Sequence, residues 1–414
     1  MKFLFIHQNF PGQFKHVAPA LGPRGHEVVA LSVNRPDSPL GGVRHVLYRS
    51  RPPISSIDSA HPLTGALHDW HAKAARGSAV ARVMQRMRKD GFVPDVIVAH
   101  PGWGEPMFAK DVFPNARLVI HAEYFYGGAG SDTGFDPEFS QPSDYLAHKL
   151  RIKNTHLLHA LDACDAAISP TEFQRSRHPE WARQRIKVIH EGIDTRRFRP
   201  DPRAAIHFKS TGMTLRAGDE VVTFAARQLE PYRGYHIFMR ALPMLQKLRP
   251  NARVVIAGGD GVSYGAAPPK GTTWRRTFLK EVAHRIDHRR VHFVGRLPHE
   301  VLTQLLQVSA AHVYLTYPFV LSWSLLEAMS VGCLVIASNT SPVQEAIAHG
   351  RNGLLTDFFD ADALAHTVAD ALANREKLNS LRAAARDTIV DRFDLNQICL
   401  PAQLALMERS FNCN

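Results

Sequence analysis

Cysteine is scarce in this 414-residue chain. The four present, at 164, 333, 399 and 413, are far apart and form no CxxC pair. Such spacing argues against a disulfide framework and a thiolate metal site, and it suits a reducing compartment. Long apolar runs are missing too, since none approaches the ~18 residues that cross a bilayer. The apolar start at residues 1–9 is too short for a signal peptide and reads as a first strand. Acidic residues are outnumbered by basic ones, 38 to 50, for a net charge of +12. That balance favours anionic partners such as nucleic acid, anionic lipid or phosphorylated small molecules. Zinc-finger spacing, an RNA-binding aromatic signature and a dense Lys/Arg tract are all absent, which sets nucleic acid aside. The G-x-G-x-x-G fingerprint is absent as well: the first strand–helix turn, residues 8–13, has one glycine, Gly12. One glycine there still lets a phosphate or sugar approach the backbone.

What is present is an ordinary globular composition, 45% hydrophobic and 21% charged, at a length comfortable for two domains. Strand and helix patterns alternate twice. The first series has strands at 2–7, 27–33, 94–100, 116–120, 166–169 and 186–189, with helices at 14–21, 61–89 and 143–163. A Pro- and charge-rich stretch at 194–203 reads as a linker. The second series has strands at 220–226, 252–257, 291–294, 311–316 and 334–337. Helices lie between them, at 235–248, 273–286 and 298–309, and again at 361–390. Two such series predict an α/β protein with two doubly wound parallel sheets. The expected division is a domain at 1–199, a second at 200–392, and a helical tail at 393–414 packing back toward the first. Residues 34–60 read as irregular, and 127–141 as a long loop of the kind that forms lids. Residues 80–89 form a basic amphipathic stretch, which could lie on an anionic membrane but is more often a solvated helix face.

The most informative stretch is 317–329, a turn running straight into a helix. A helix start leaves backbone N–H groups unpaired and favours an anion. Ser322 and Ser324 are N-cap candidates, and Glu327 lies a turn inside. This suits a nucleoside diphosphate whose ribose hydroxyls donate to the glutamate. The plainer reading is a capping box, because Ser324 and Glu327 have its spacing. Arg227 and Arg233 share one strand–helix loop and can flank a diphosphate, neutralising charge as it leaves. As two solvated surface arginines they would mean nothing, so the shared sheet edge carries the argument. His100 and His121 end two neighbouring strands, on the edge where open parallel sheets bind ligands.

These motifs, taken together, resemble the retaining glycosyltransferases of family 4, which have the two-domain GT-B fold. The likeness rests on Gly12 with residues 24–28, on Gly192-Ile193-Asp194 with Phe198 and Pro200, and on 227–234, where Arg233 stands in a lysine's place. Gly259-Asp260-Gly261, Phe293 with Gly295, and Leu326-Glu327-Ala328-Met329 also fit. The resemblance implies that Arg227 and Arg233 bind the donor's diphosphate, with the backbone at Ser322 and Trp323 facing it and Ser324 beside them. It implies that Glu327 holds the ribose, that Arg296 with Leu297 meets the base, and that Gly12 and His121 face sugar and acceptor. One position departs from the pattern: Phe319 stands where the family has the first of two glutamates.

The expected activity is transfer of a sugar from a nucleoside-diphosphate donor to a hydroxyl acceptor, with retention, in polysaccharide or glycoconjugate synthesis. The acceptor would be a glycan, a lipid-linked sugar or a small molecule. No cofactor or metal is expected, because the arginines neutralise the phosphates. The expected location is the cytoplasm, with contact at the inner membrane face a further expectation. Two other readings remain: a sugar-nucleotide-binding protein without catalysis, and a sugar-nucleotide epimerase, which would act on the donor with no acceptor present.

Overall fold

Phe3, Leu4, Phe5 and Ile6 are all fully buried. A strand covered on both faces must be apolar throughout, which is how strands of a parallel sheet read. The computed structural model of the protein describes residues 1–50, 61–140, 142–209 and 212–409. It divides into two units. One comprises Met1–Gly134, Gln141–Gly192 and Asn396–Asn414, and the other Phe135–Ser140 and Ile193–Leu395.

The first unit contains β1 (Lys2–Ile6), β2 (Glu27–Ser32), β3 (Val43–Leu47), β4 (Val96–Ala99), β5 (Arg117–His121), β6 (Ala166–Ser169) and β7 (Ile186–Val188). They form one parallel sheet in the order β3-β2-β1-β4-β5-β6-β7. The order reverses between β1 and β4, and the crevice beyond those strand ends is where such sheets take ligands. The tail helix Leu400–Met407 belongs to this unit. Its Leu404, Leu406 and Met407 are buried with Phe3, Phe5 and Val17. Arg117 donates from Nη1 to the Leu406 carbonyl at 2.7 Å.

The second unit begins with a hairpin, β8 (Ala205–Phe208) and β9 (Met213–Arg216). Its parallel sheet contains β10 (Val221–Gln228), β11 (Arg253–Gly259), β12 (Val291–Gly295), β13 (Ala311–Tyr314), β14 (Val335–Ser338) and β15 (Leu354–Thr356), in the order β12-β11-β10-β13-β14-β15. Here the order reverses between β10 and β13.

Several boundaries differ from the sequence reading. Within 34–60, residues 43–47 form edge strand β3, while 51–60 lie outside the described residues, as does Cys413. The expected helix at 14–21 is a turn at Gly12–Phe14 followed by a helix at Val17–Leu21. Pro19 explains this, because its ring would clash with the carbonyl four residues earlier and fits only a first turn. The 361–390 stretch is two helices, Ala361–Ala373 and Asn379–Phe393. Strand β10 runs through Arg227 to Gln228, which pairs with Gly259 past an irregularity in the register. Arg227 is thus strand, not loop.

The long helix Thr64–Lys89 buries Val80, Met84 and Met87 in the first unit's core. Arg82, Arg86, Arg88 and Lys89 face solvent. The apolar stripe is therefore used within the fold, and the basic residues form the helix's exposed face. Met84→Ala should cost about 2–4 kcal/mol. Denaturant unfolding checks it, and a loss below about 1 kcal/mol would mean the stripe is not core.

Candidate active site

In the second unit, Arg227 ends β10 and Arg233 closes the turn Pro231–Arg233. Gly234 follows at φ +66°, and a Cβ there would lie 2.3 Å from that of Leu315. Only glycine fits, and it turns the chain into the helix Tyr235–Leu248. Arg227 and Arg233 line one cavity with Ser322 and Ser324, at the ends of β10 and β13 where the strand order reverses. Four of the residues singled out from sequence thus meet at the sheet's ligand-binding edge.

Arg233 is held by neutral groups. Its Nη1 donates to Thr316 Oγ1 at 2.8 Å, and its guanidinium lies 5.3 Å from the centre of the Tyr264 ring. Glu230 also lines the cavity, but the loop before the next helix occupies it. The N–H groups of Ser263, Tyr264 and Gly265 donate to its carboxylate at 3.1–3.4 Å. Among the described residues neither Arg227 nor Arg233 forms an ion pair, so both charges remain available to a phosphate.

The helix Trp323–Ser330 is capped by Ser322, whose Oγ accepts from the Ser324 N–H at 3.3 Å. The capping-box reading is therefore overturned: the cap is Ser322, and Glu327 is too far into the helix to close the box. Glu327 is instead buried and accepts from His299 Nε2 at 2.9 Å. The Ser322 N–H donates to the Tyr314 phenol at 3.0 Å, so one amide of the turn is already engaged. The Trp323 side chain packs against the apolar cluster of Leu325 and Met329. Arg296 lies exposed against Gly259, outside the arginine cavity. Phe319 is buried, 5.2 Å from the Tyr232 ring and 5.1 Å from that of Tyr264.

Sequence reasoning missed Glu230, Tyr264, His299, Tyr314 and Thr316. All but Glu230, which sits between the two arginines, meet partners remote in the chain. It also read 127–141 as a single loop, whereas Phe135–Ser140 packs with the second unit. There Asp136 accepts from the Tyr317 phenol at 2.7 Å and lies 3.1 Å from His236 Nε2. Asp136, Glu138 and His236 are close enough to share one ion. Glu138, however, is taken by Arg240 at 2.7 and 2.8 Å.

On the first unit, Gly12 sits at φ +47°, and the space of its missing Cβ is filled by the His7 ring. His121 is buried, stacked 5.3 Å from His100, with Nε2 3.1 Å from Glu191 Oε1. Burial opposes its charge, but Glu191 and Glu123 outweigh burial and raise its pKa.

Two parallel sheets, each with its strand order reversing at its ligand-binding edge, and two arginines without an ion-pair partner among the described residues, beside a helix start, suit a phosphorylated ligand. Residues 24–198 match the "Glycosyl transferase family 4 group" and residues 211–388 match "Glycosyl transferases group 1". The chain belongs to these glycosyltransferases, enzymes that move a sugar from a nucleotide-sugar donor. A glycogen synthase of Mycobacterium tuberculosis is 27% identical over 400 residues, covering 92% of this chain and 86% of that one. A GDP-mannose-dependent alpha-(1-6)-phosphatidylinositol monomannoside mannosyltransferase of the same organism is 27% identical over 247 residues, covering 55% of this chain and 58% of that one. Among solved structures, the sucrose-phosphate synthase of Thermosynechococcus elongatus has a TM-score of 0.71 at 17% identity, covering 98% of both chains. HepE of Anabaena with UDP and glucose has 0.67 at 17% identity, again covering 98% of both. The fold is GT-B.

Burial pushes His7 and His156 down to about 3, and His178 to about 4. Each folded-state value lies below the unfolded one, near 6.5, so only the unfolded chain takes up these protons in the interval. Their contribution is full above pH 6.5 and is lost as pH falls, about 2 kcal/mol per histidine by pH 5. The melting temperature should fall steadily from pH 7 to pH 5. A flat profile would contradict the buried, neutral state of these rings.

Proposed function

We propose that this glycosyltransferase moves its sugar with retention of anomeric configuration to a hydroxyl of a glycan or glycoconjugate acceptor. The observation that carries the reading is the cavity shared by Arg227, Arg233, Ser322 and Ser324. As the bond from the anomeric carbon to the diphosphate breaks, charge grows on the leaving oxygen. Guanidinium groups placed there beforehand stabilise that charge without reorganising. The acceptor oxygen bonds the anomeric carbon on the same face, and its proton passes to the departing phosphate. The step needs no protein nucleophile, and the arginines supply the positive charge that a metal would otherwise bring. Glu327, with one oxygen held by His299, has its other oxygen for a ribose hydroxyl. Arg296, against Gly259, is the base's candidate neighbour. His121 is the first unit's candidate cation for the sugar.

The named relatives act on glucan and inositol-lipid acceptors, which supports a carbohydrate or polyol acceptor here. Cysteine usage supports the cytoplasm. No helix among the described residues is long and apolar enough to cross a membrane. Contact with the inner membrane face rests on net charge alone. A non-catalytic, donor-binding role is the second reading, favoured only by the buried ring at Phe319 in place of a carboxylate.

A panel of UDP-, GDP- and ADP-sugars read by thermal shift identifies the donor. At 100 times its Kd the true one adds about 2.7 kcal/mol of stability. With it, Arg227→Ala and Arg233→Ala should each lower turnover at least tenfold, about 1.4 kcal/mol of barrier. Unchanged turnover in folded variants would refute the assignment, and donor binding without transfer to any acceptor would favour the second reading.

A further inference from the structure

Three histidines at strand ends of the first unit share one local device. In His7, His100 and His190, ring Nδ1 accepts the backbone N–H two residues on, from Asn9 at 3.0 Å, Gly102 at 3.1 Å and Gly192 at 2.9 Å. A nitrogen that accepts carries no proton, so in each neutral ring the proton sits on Nε2. The His7 Nε2–H donates to Gln13 Oε1 at 2.8 Å, which turns the Gln13 amide to donate to Glu123 Oε1 at 2.7 Å. Glu123 is thereby oriented through two residues by a backbone amide.

The same tautomer decides what His100 can do. His100, His121 and Glu123 each bring one possible ligand atom within 4.8 Å of the other two, close enough to share an ion. A metal-binding ring offers the lone pair of one nitrogen and donates its proton from the other. The Nδ1 of His100 already faces a donor, so its Nε2 is a donor and not a ligand. That Nε2–H lies 3.4 Å from Glu123 Oε2 without hydrogen-bond geometry, and it has no partner although its side chain is only 4% exposed. The Nε2 of His121 is likewise buried and without a well-aligned partner.

Glu123 is the carboxylate of this cluster that reaches solvent, its side chain 30% exposed against 8% for Glu191. Both Glu123 and His100 line a cavity beside the ends of β4 and β5, with Tyr124, Tyr126 and Lys73. The Lys73 ammonium is taken by Asp69 at 2.7 Å. An anion entering there meets a carboxylate and a spent cation. A hydroxyl meets an acceptor and an unused donor side by side.

Resting on the glycosyltransferase reading, we propose that Glu123 and His100 form a subsite for a hydroxyl of a neutral sugar. The hydroxyl donates to Glu123 Oε2 and accepts from the His100 Nε2–H. The test is calorimetric titration of the full chain with methyl α-glucoside, methyl α-mannoside and N-acetylglucosamine, with UDP and GDP titrated in parallel. At least one neutral sugar should bind, Glu123→Gln should weaken it tenfold or more, and nucleotide affinity should not move. If Glu123→Gln does not fold, Gln13→Leu, which releases Glu123, should weaken the same sugar several-fold. Equal sugar affinity in wild type and variant overturns the proposal. So does nucleotide binding with no binding of any sugar, or stoichiometric zinc binding that Glu123→Gln abolishes. Failure of both nucleotides to bind the wild type would count instead against the functional reading.

Discussion

The second unit is arranged around a guanidinium held in place without a carboxylate. A partly buried cation is costly unless it is hydrogen-bonded, and a carboxylate partner would satisfy it but cancel its charge. Arg233 avoids both outcomes. Thr316 fixes its position, the face of Tyr264 lies over it, and Glu230 is turned away to the loop amides at 263–265. Glu230 thus does two things: it orders the loop that carries Tyr264, and it leaves the arginine's charge unspent. Gly234 is a condition of the same arrangement, because any side chain there would meet Leu315 and move the turn.

Phe319 belongs to this economy of charge. With a carboxylate absent at that position, an aromatic cluster fills the space. Tyr232 packs on Tyr317 at 4.8 Å and on Phe319, and Tyr264 joins from the loop. Tyr317 is tied by its phenol to buried Asp136. Tyr264, the ring of this cluster that lines the arginine cavity, is therefore backed by buried aromatic neighbours. Apolar backing lowers the local dielectric and strengthens a cation's attraction for phosphate.

Much of the fold was legible because strands of a doubly covered sheet must be apolar from end to end. β1, β4, β5, β13 and β14 could be read that way. β3 could not, since an edge strand with two of its five residues exposed and none buried lacks the signal. The arginine pair was legible because both residues come from one strand–helix connection. Glu230 sat in the same window but looked like one more surface charge. His299 was hidden because its partner Glu327 lies 28 positions away, and the Ser324–Glu327 spacing suggested a local bond instead. The histidine device of the first unit was half visible. The strand-end positions of His100 and His121 stood out, but a tautomer depends on a backbone amide whose direction only the folded turn supplies.

Both sheets place their chemistry beyond the strand ends where the order reverses, at β1 and β4 in one unit and at β10 and β13 in the other. The donor site proposed at the second of these edges would hold two phosphates rather than one. Calorimetric affinities of UDP against UMP, and of GDP against GMP, test it most directly. One diphosphate should bind at least tenfold tighter than its monophosphate, with the gap narrowing as salt is raised. Equal affinities for di- and monophosphate at low salt would contradict it.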